Sequence, residues 1–207
     1  METNDKTSRG INKAQEVEPL KRIKDIAKIK QFLLGKENKR DYMLLVVGIN
    51  VGLRAGDLLS LSIKNVFQDN KIVDKVVITE EKTDKKRVFE LNKSAKDAIL
   101  LYLSTLKNID TDSYLFKSRK GDGALTVEAA HKIIKTTLKE LNIKGNFGTH
   151  TLRKTFAYHI YANNIKTNPS IVNTLQKILN HSSESITLKY IGITKEVISN
   201  VYNSLNL

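Results

Sequence analysis

No cysteine occurs among the 207 residues, which excludes disulfides and thiolate-bound metals and gives no sign of a secreted, cross-linked scaffold. No stretch approaches the roughly 18 uninterrupted apolar residues of a membrane span. The opening residues, METNDKTSRGINKAQEVEP, are polar and lack the apolar centre of a signal peptide, so the default expectation is a cytoplasmic protein without a membrane partner. Internal repeats, low-complexity tracts and an aromatic stacking motif for RNA are missing as well. Acidic residues are scarce: 22 Asp and Glu stand against 35 Lys and Arg, a formal net charge of +13. Such an excess points to a polyanion, usually nucleic acid, although a solvated Lys-rich surface gives the same number. Charge alone suggests no reaction.

What is present is enough for one core. With 40% hydrophobic and 28% charged residues, the chain reads as a single globular domain that needs no staples. Residues 1–19 lack periodicity and are expected to be a flexible tail, leaving 20–207 as the domain. Apolar spacing predicts helices over Leu20–Leu34 and about Arg40–Val51, then a short one through DLLSLS after Gly56-Asp57. Two β-branched runs, Ile72–Thr79 and Arg87–Leu91, flank a charged stretch and predict a hairpin. Helices follow over Ser94–Leu106, Thr126–Leu141, Thr149–Asn163, Ser170–Leu179 and Lys195–Leu205, with SRKGDGALT as a loop. The fold class is therefore mainly α with a small antiparallel β-sheet (α+β).

The strongest local signal is GTHTLRKTFAYHIY. His150 and Arg153 are three apart and share one helical face near a helix N-terminus, while Leu152, Phe156 and Ile160 would bury another. Exposed N–H groups, a guanidinium and an imidazole would then converge, which suits a phosphate. An isolated HxxR is more often incidental. His150 and His159 cannot form a helical zinc pair, because nine residues at roughly 100° each place them on opposite faces.

This HxxR has company. The order GLRAGD (52–57), EEKTDKKR (80–87), HTLR (150–153) and LNHSSESITLKY (179–190) resembles the tyrosine recombinase, or phage integrase, family over roughly residues 22–206. The resemblance implies that family's catalytic-domain fold, with Arg54, Lys82, His150, Arg153, His181 and Tyr190 as catalytic residues and Asp57 in support. It implies that Tyr190 attacks a phosphate of double-stranded DNA, leaving a 3′-phosphotyrosine and a free 5′-hydroxyl. Arg54 and Arg153 would bracket the nonbridging oxygens, Lys82 would protonate the leaving oxygen, and His150 would accept the tyrosine proton or orient the phosphate. His181 would donate a hydrogen bond to it. No cofactor, metal or ATP is implied. Lys85 is the second choice for the lysine. Asn180 stands where the family usually has Gly, Asp57 where Glu is commoner, and Gly148-Thr149 where Pro or Thr-Pro is frequent.

The resemblance also implies a tetramer on DNA through the C-terminal helix, a possible DNA-bending accessory protein, and a nucleoid-associated, bacterial or mobile-element origin. Most members carry an N-terminal core-binding domain, and about 20 residues are too few for it. The expectation is a single-domain member, with a truncated chain as the alternative. Rival readings are a type IB topoisomerase or telomere resolvase, a catalytically silent DNA-binding regulator, and an RNA-binding module. His131 and His159 match no family position, and Tyr42, Tyr102, Tyr158 and Tyr161 read as core-edge residues.

Overall fold

In the computed structural model, residues 16–82, 84–192 and 202–205 are described. The helices are α1 (Ile23–Gly35), α2 (Lys39–Val51), α3 (Ala55–Leu59), α4 (Ile63–Val66), α5 (Lys93–Leu103), α6 (Val127–Glu140), α7 (Thr149–Asn164), α8 (Ile171–Leu179) and α9 (Glu184–Ile191). Short polar side chains mark several starts. Asn92 accepts a hydrogen bond from the Ala95 N–H at 3.0 Å, and Thr126 from the Ala129 N–H at 3.1 Å. Most of α2 is buried, including Met43, Leu44, Val46 and Val47, and it packs between α5 and α7 as the spine of the main core. A smaller apolar cluster of Ala157, Ile171, Leu175, Leu179 and Ile191 seats α8 and α9 against α7.

The expected fold class is the observed one, with differences of detail. The sheet is in two pieces: β1 (Phe67–Gln68) pairs with β2 (Lys71–Ile72), and β3 (Lys75–Thr79) with β4 (Lys86–Glu90), both antiparallel. The first hairpin turns through Asp69 and Asn70, both at positive φ (49° and 59°), a turn chemistry that the β-branched pattern does not reveal. Helices α4 and α9 were not anticipated. α9 is two turns long and begins at the Ser183 cap inside a stretch whose motif, rather than its periodicity, drew notice. α1 begins at Ile23 rather than Leu20, after a cap at Arg22 with extended backbone (φ −88°, ψ 120°), and the Leu20 N–H is bound to Thr155 Oγ1 on α7 at 2.8 Å.

Of the tail expected over 1–19, residues 16–19 lie against the domain. The Glu18 N–H donates to the Asn146 carbonyl at 2.8 Å, and Glu16 pairs with Lys154 at 2.7 Å. Residues 1–15 lie outside the described residues, as does the expected helix Lys195–Leu205 except for 202–205. No helix among the described residues is long and apolar enough to cross a membrane.

Candidate active site

The site is built on the turn that ends α2. Gly52 caps that helix in the left-handed conformation (φ 61°), and the chain re-extends at Arg54, which precedes α3. The Gly52 carbonyl accepts hydrogen bonds from two guanidiniums, Arg153 Nη1 at 2.9 Å and Arg87 Nη2 at 3.3 Å. Arg153, on α7, is 2% exposed, and its Nη2 donates to the Leu179 carbonyl at the end of α8. One planar fork thus bridges the ends of two helices, a task that its fixed geometry suits.

Arg54 meets a carboxylate that the sequence reading did not single out. Glu80, 1% exposed at the end of β3, places Oε2 2.7 Å from Arg54 Nη1 and Oε1 3.2 Å from Arg87 Nη1. Asn180 Nδ2 donates to the same Oε2 at 3.0 Å. Asp57 sits farther from Arg54 (3.8 Å) and accepts the Glu81 N–H at 3.0 Å, so it ties α3 to the hairpin. One signal for Arg87 was available: on β4 it alternates inward with Phe89, and an inward-facing arginine calls for an acid. Among the described residues Arg153 Nε and Asp57 Oδ2 are buried without a hydrogen bond, while buried Arg54 Nη1 has its charge met by the Glu80 carboxylate. The Arg153 Nε–H is therefore a donor that an anion would complete.

Tyr190 on α9 faces this cluster. Its hydroxyl is 3.3 Å from His150 Nδ1, its ring centre is 4.6 Å from that of His181, and Arg153 Cζ and Lys154 Nζ lie 5.8 and 5.3 Å from it. Burial, and then the charges of Arg153, Lys154 and Arg54, hold His150 below the usual imidazole range. Burial and Arg153, Arg54 and Arg87 push His181 down to about 4. Both rings are therefore neutral at pH 7, and His150 Nδ1 can take a proton from the tyrosine. Burial and neighbouring Arg87 also lower Arg153 from the guanidinium range, and it stays cationic at neutral pH.

The tautomer of His181 follows from its partners. The buried Thr187 hydroxyl donates to the Ser183 carbonyl at 3.4 Å and so accepts from His181 Nδ1–H at 3.0 Å. Nε2 is then left as an acceptor 3.5 Å from Arg153 Nη2. To donate to a phosphate, His181 must gain a second proton or exchange tautomers through the Thr187 hydroxyl.

Lys82, on the exposed turn of the β3–β4 hairpin, lines an open cleft of about 590 Å³ with Arg54, Asp57, His150 and Tyr190. Lys85 and Lys86 line a separate cleft beside Arg87, Lys177 and Asn180. Lys82, rather than Lys85 or Lys86, thus shares a cleft lining with Tyr190. His159 lies 2.9 Å from the Leu20 carbonyl, away from this group, and His131 is exposed. Among the described residues no cluster of three His, Cys, Asp or Glu side chains could hold a metal.

Residues 16–196 match the phage integrase family. A Bacillus subtilis (strain 168) protein, probable integrase/recombinase YoeC, is 40% identical over 186 residues, covering 90% of this chain and 95% of that protein. Tyrosine recombinase XerD of Staphylococcus aureus (strain N315) is 30% identical over 172 residues, 81% of this chain and 55% of XerD. The chain thus spans nearly all of the first relative and about half of the second. Among solved structures, XerA recombinase superposes with a TM-score of 0.69 at 24% identity, covering 92% of this chain and 66% of that one. XerH recombinase, bound to its palindromic difH substrate in a post-cleavage complex, gives 0.68 at 20% identity, covering 91% and 53%.

Proposed function

The chain belongs to the phage integrase family of tyrosine-type recombinases, and on that premise we propose that it cuts and rejoins double-stranded DNA through a covalent bond to Tyr190. The observation that carries the proposal is the approach of the Tyr190 hydroxyl to neutral His150 Nδ1, in the cleft that Arg54 and Lys82 share. As Tyr190 attacks the scissile phosphorus, its proton passes to His150 and a P–O bond forms to the phenolic oxygen. The developing negative charge falls to Arg54 and Arg153, whose guanidiniums are held in place by Glu80 and by the Gly52 and Leu179 carbonyls before DNA arrives. The bond to the 5′ oxygen breaks, and Lys82 gives that oxygen its proton. The products are a 3′-phosphotyrosine and a free 5′-hydroxyl. The reverse sequence, with an exchanged strand, reseals the DNA.

His181 joins as the charge develops, since negative charge beside Nε2 favours the protonated ring or the exchanged tautomer. Fixed guanidinium charge does here what a metal does in other nucleases, and the ester conserves the energy for rejoining without ATP. A tetramer on DNA, joined through the C-terminal segment, and a DNA-bending partner belong to the same proposal and rest on the family alone.

Nicked suicide DNA carrying the native flanking sequence tests the reading. Incubated without divalent metal, the wild type should give a protein–DNA band on a denaturing gel, and Tyr190→Phe should give none. Bound DNA that never becomes linked would favour a catalytically silent DNA-binding protein of the same fold.

A further inference from the structure

Asn180 departs from the residue usual at its position, and Glu80 is buried among charges it was not expected to meet. The two are hydrogen-bonded to each other across 100 positions of chain. We propose that this contact is a coupling element that holds the lysine-bearing hairpin in a fixed relation to the nucleophile-bearing segment, so that Asn180 and Glu80 are positioning residues for the reaction. The inference rests on the recombinase reading above.

The backbone at 180 explains half of the choice. Asn180 ends α8 in the left-handed region (φ 50°, ψ 48°), where Gly is least strained and Asn is the side chain best tolerated. A residue there for its backbone alone has no need of an amide, yet this amide reaches Glu80 Oε2 at 3.0 Å. Beyond it, His181 is fixed on both sides, its N–H on the Gln176 carbonyl at 3.0 Å and its own carbonyl receiving Gln176 Nε2 at 3.2 Å. Leu179, just before it, receives Arg153.

At the other end of the contact, Glu80 governs the hairpin. Its N–H donates to the Lys85 carbonyl at 3.0 Å, and its carbonyl accepts the Asp84 N–H at 2.9 Å, closing the turn that carries Lys82. Its carboxylate holds Arg54 and Arg87. One amide–carboxylate contact therefore connects the proton donor, one phosphate-binding arginine and the segment leading to His181 and Tyr190. In-line displacement needs the nucleophile and the leaving-group acid on opposite sides of phosphorus, and misplacement by an ångström costs on the order of 100-fold.

Asn180→Gly removes the amide and keeps the left-handed cap, and the carboxylate retains both arginines, so the fold should persist. Hydrogen exchange on the free protein should then show faster exchange at the Glu80 and Asp84 amides, with α2 unchanged. On suicide DNA, single-turnover cleavage should fall about tenfold while the DNA dissociation constant stays the same. Asn180→Asp tolerates the same backbone but turns an acceptor toward Glu80, and it should be at least as slow as Asn180→Gly. Unchanged hairpin exchange in Asn180→Gly would overturn the coupling, and wild-type cleavage by either variant would overturn the positioning role. A wild type that binds DNA and forms no covalent complex would count against the proposed chemistry instead, and the exchange measurement would still decide the coupling.

Discussion

His181 carries a consequence for pH at the scale of one residue. Its folded pKa of about 4 lies below the ordinary 6.5, so between those values the unfolded chain binds a proton that the folded one refuses. The stability tied to neutral His181 is complete above about pH 6.5 and is lost as the pH falls toward 4. His150 is shifted in the same direction and adds to the slope. A melting-temperature series from pH 7 to 4 should decline through this window, and His181→Gln should flatten the decline. An unaltered slope in the variant would mean that the ring is already hydrated. The same residue shows what a sequence can disclose. Arg54, His150, Arg153, His181 and Tyr190 could be picked out because family chemistry fixes their order and spacing. Glu80 could not, because EEKTDKKR reads like any solvated charged turn. Its burial arises where the end of β3 meets Arg54, Arg87 and Asn180, contacts between segments far apart in the chain. Thr187 was equally silent, since its role depends on facing His181 Nδ1, which lies ahead of α9 in the segment that leads into it.

Among elements, the α2–α3 turn is closely constrained. A Cβ at Gly52 would stand 2.4 Å from Phe156 Cδ1 on α7, and φ there is 61°. Gly52→Ala combines left-handed strain with overpacking, and should cost about 2–4 kcal/mol in urea denaturation. Its cleavage rate should drop further than stability explains, because the carbonyl that orients Arg153 and Arg87 must move. A loss below about 0.5 kcal/mol would show that Phe156 yields freely. Long amphipathic helices such as α6 were readable from period alone, and the observed Val127–Glu140 lies within the expected Thr126–Leu141. α9 was not. With two turns and two buried residues, Thr187 and Ile191, it offers too short a pattern, and its helicity owes more to packing on α7 and α8 than to propensity.

For the whole molecule, the +13 net charge predicts binding dominated by phosphate contacts. With six or more such contacts, DNA affinity should fall by on the order of 1,000-fold between 50 and 200 mM salt. Fluorescence anisotropy at several salt concentrations measures the slope, and a flat response would remove DNA backbone as the main partner. The shared acceptor at Gly52 bears on a different matter, how this chain can vary over generations. A carbonyl oxygen has two lone pairs, and the Gly52 oxygen already serves Arg153 and Arg87, so it can follow neither without abandoning the other. One residue inserted between Val51 and Ala55 would displace both arginines and Arg54 together. The Asp69-Asn70 turn, joined to no catalytic candidate, could lengthen without any of them noticing. Among natural variants of this protein, indels should therefore be common at the second turn and absent from the first.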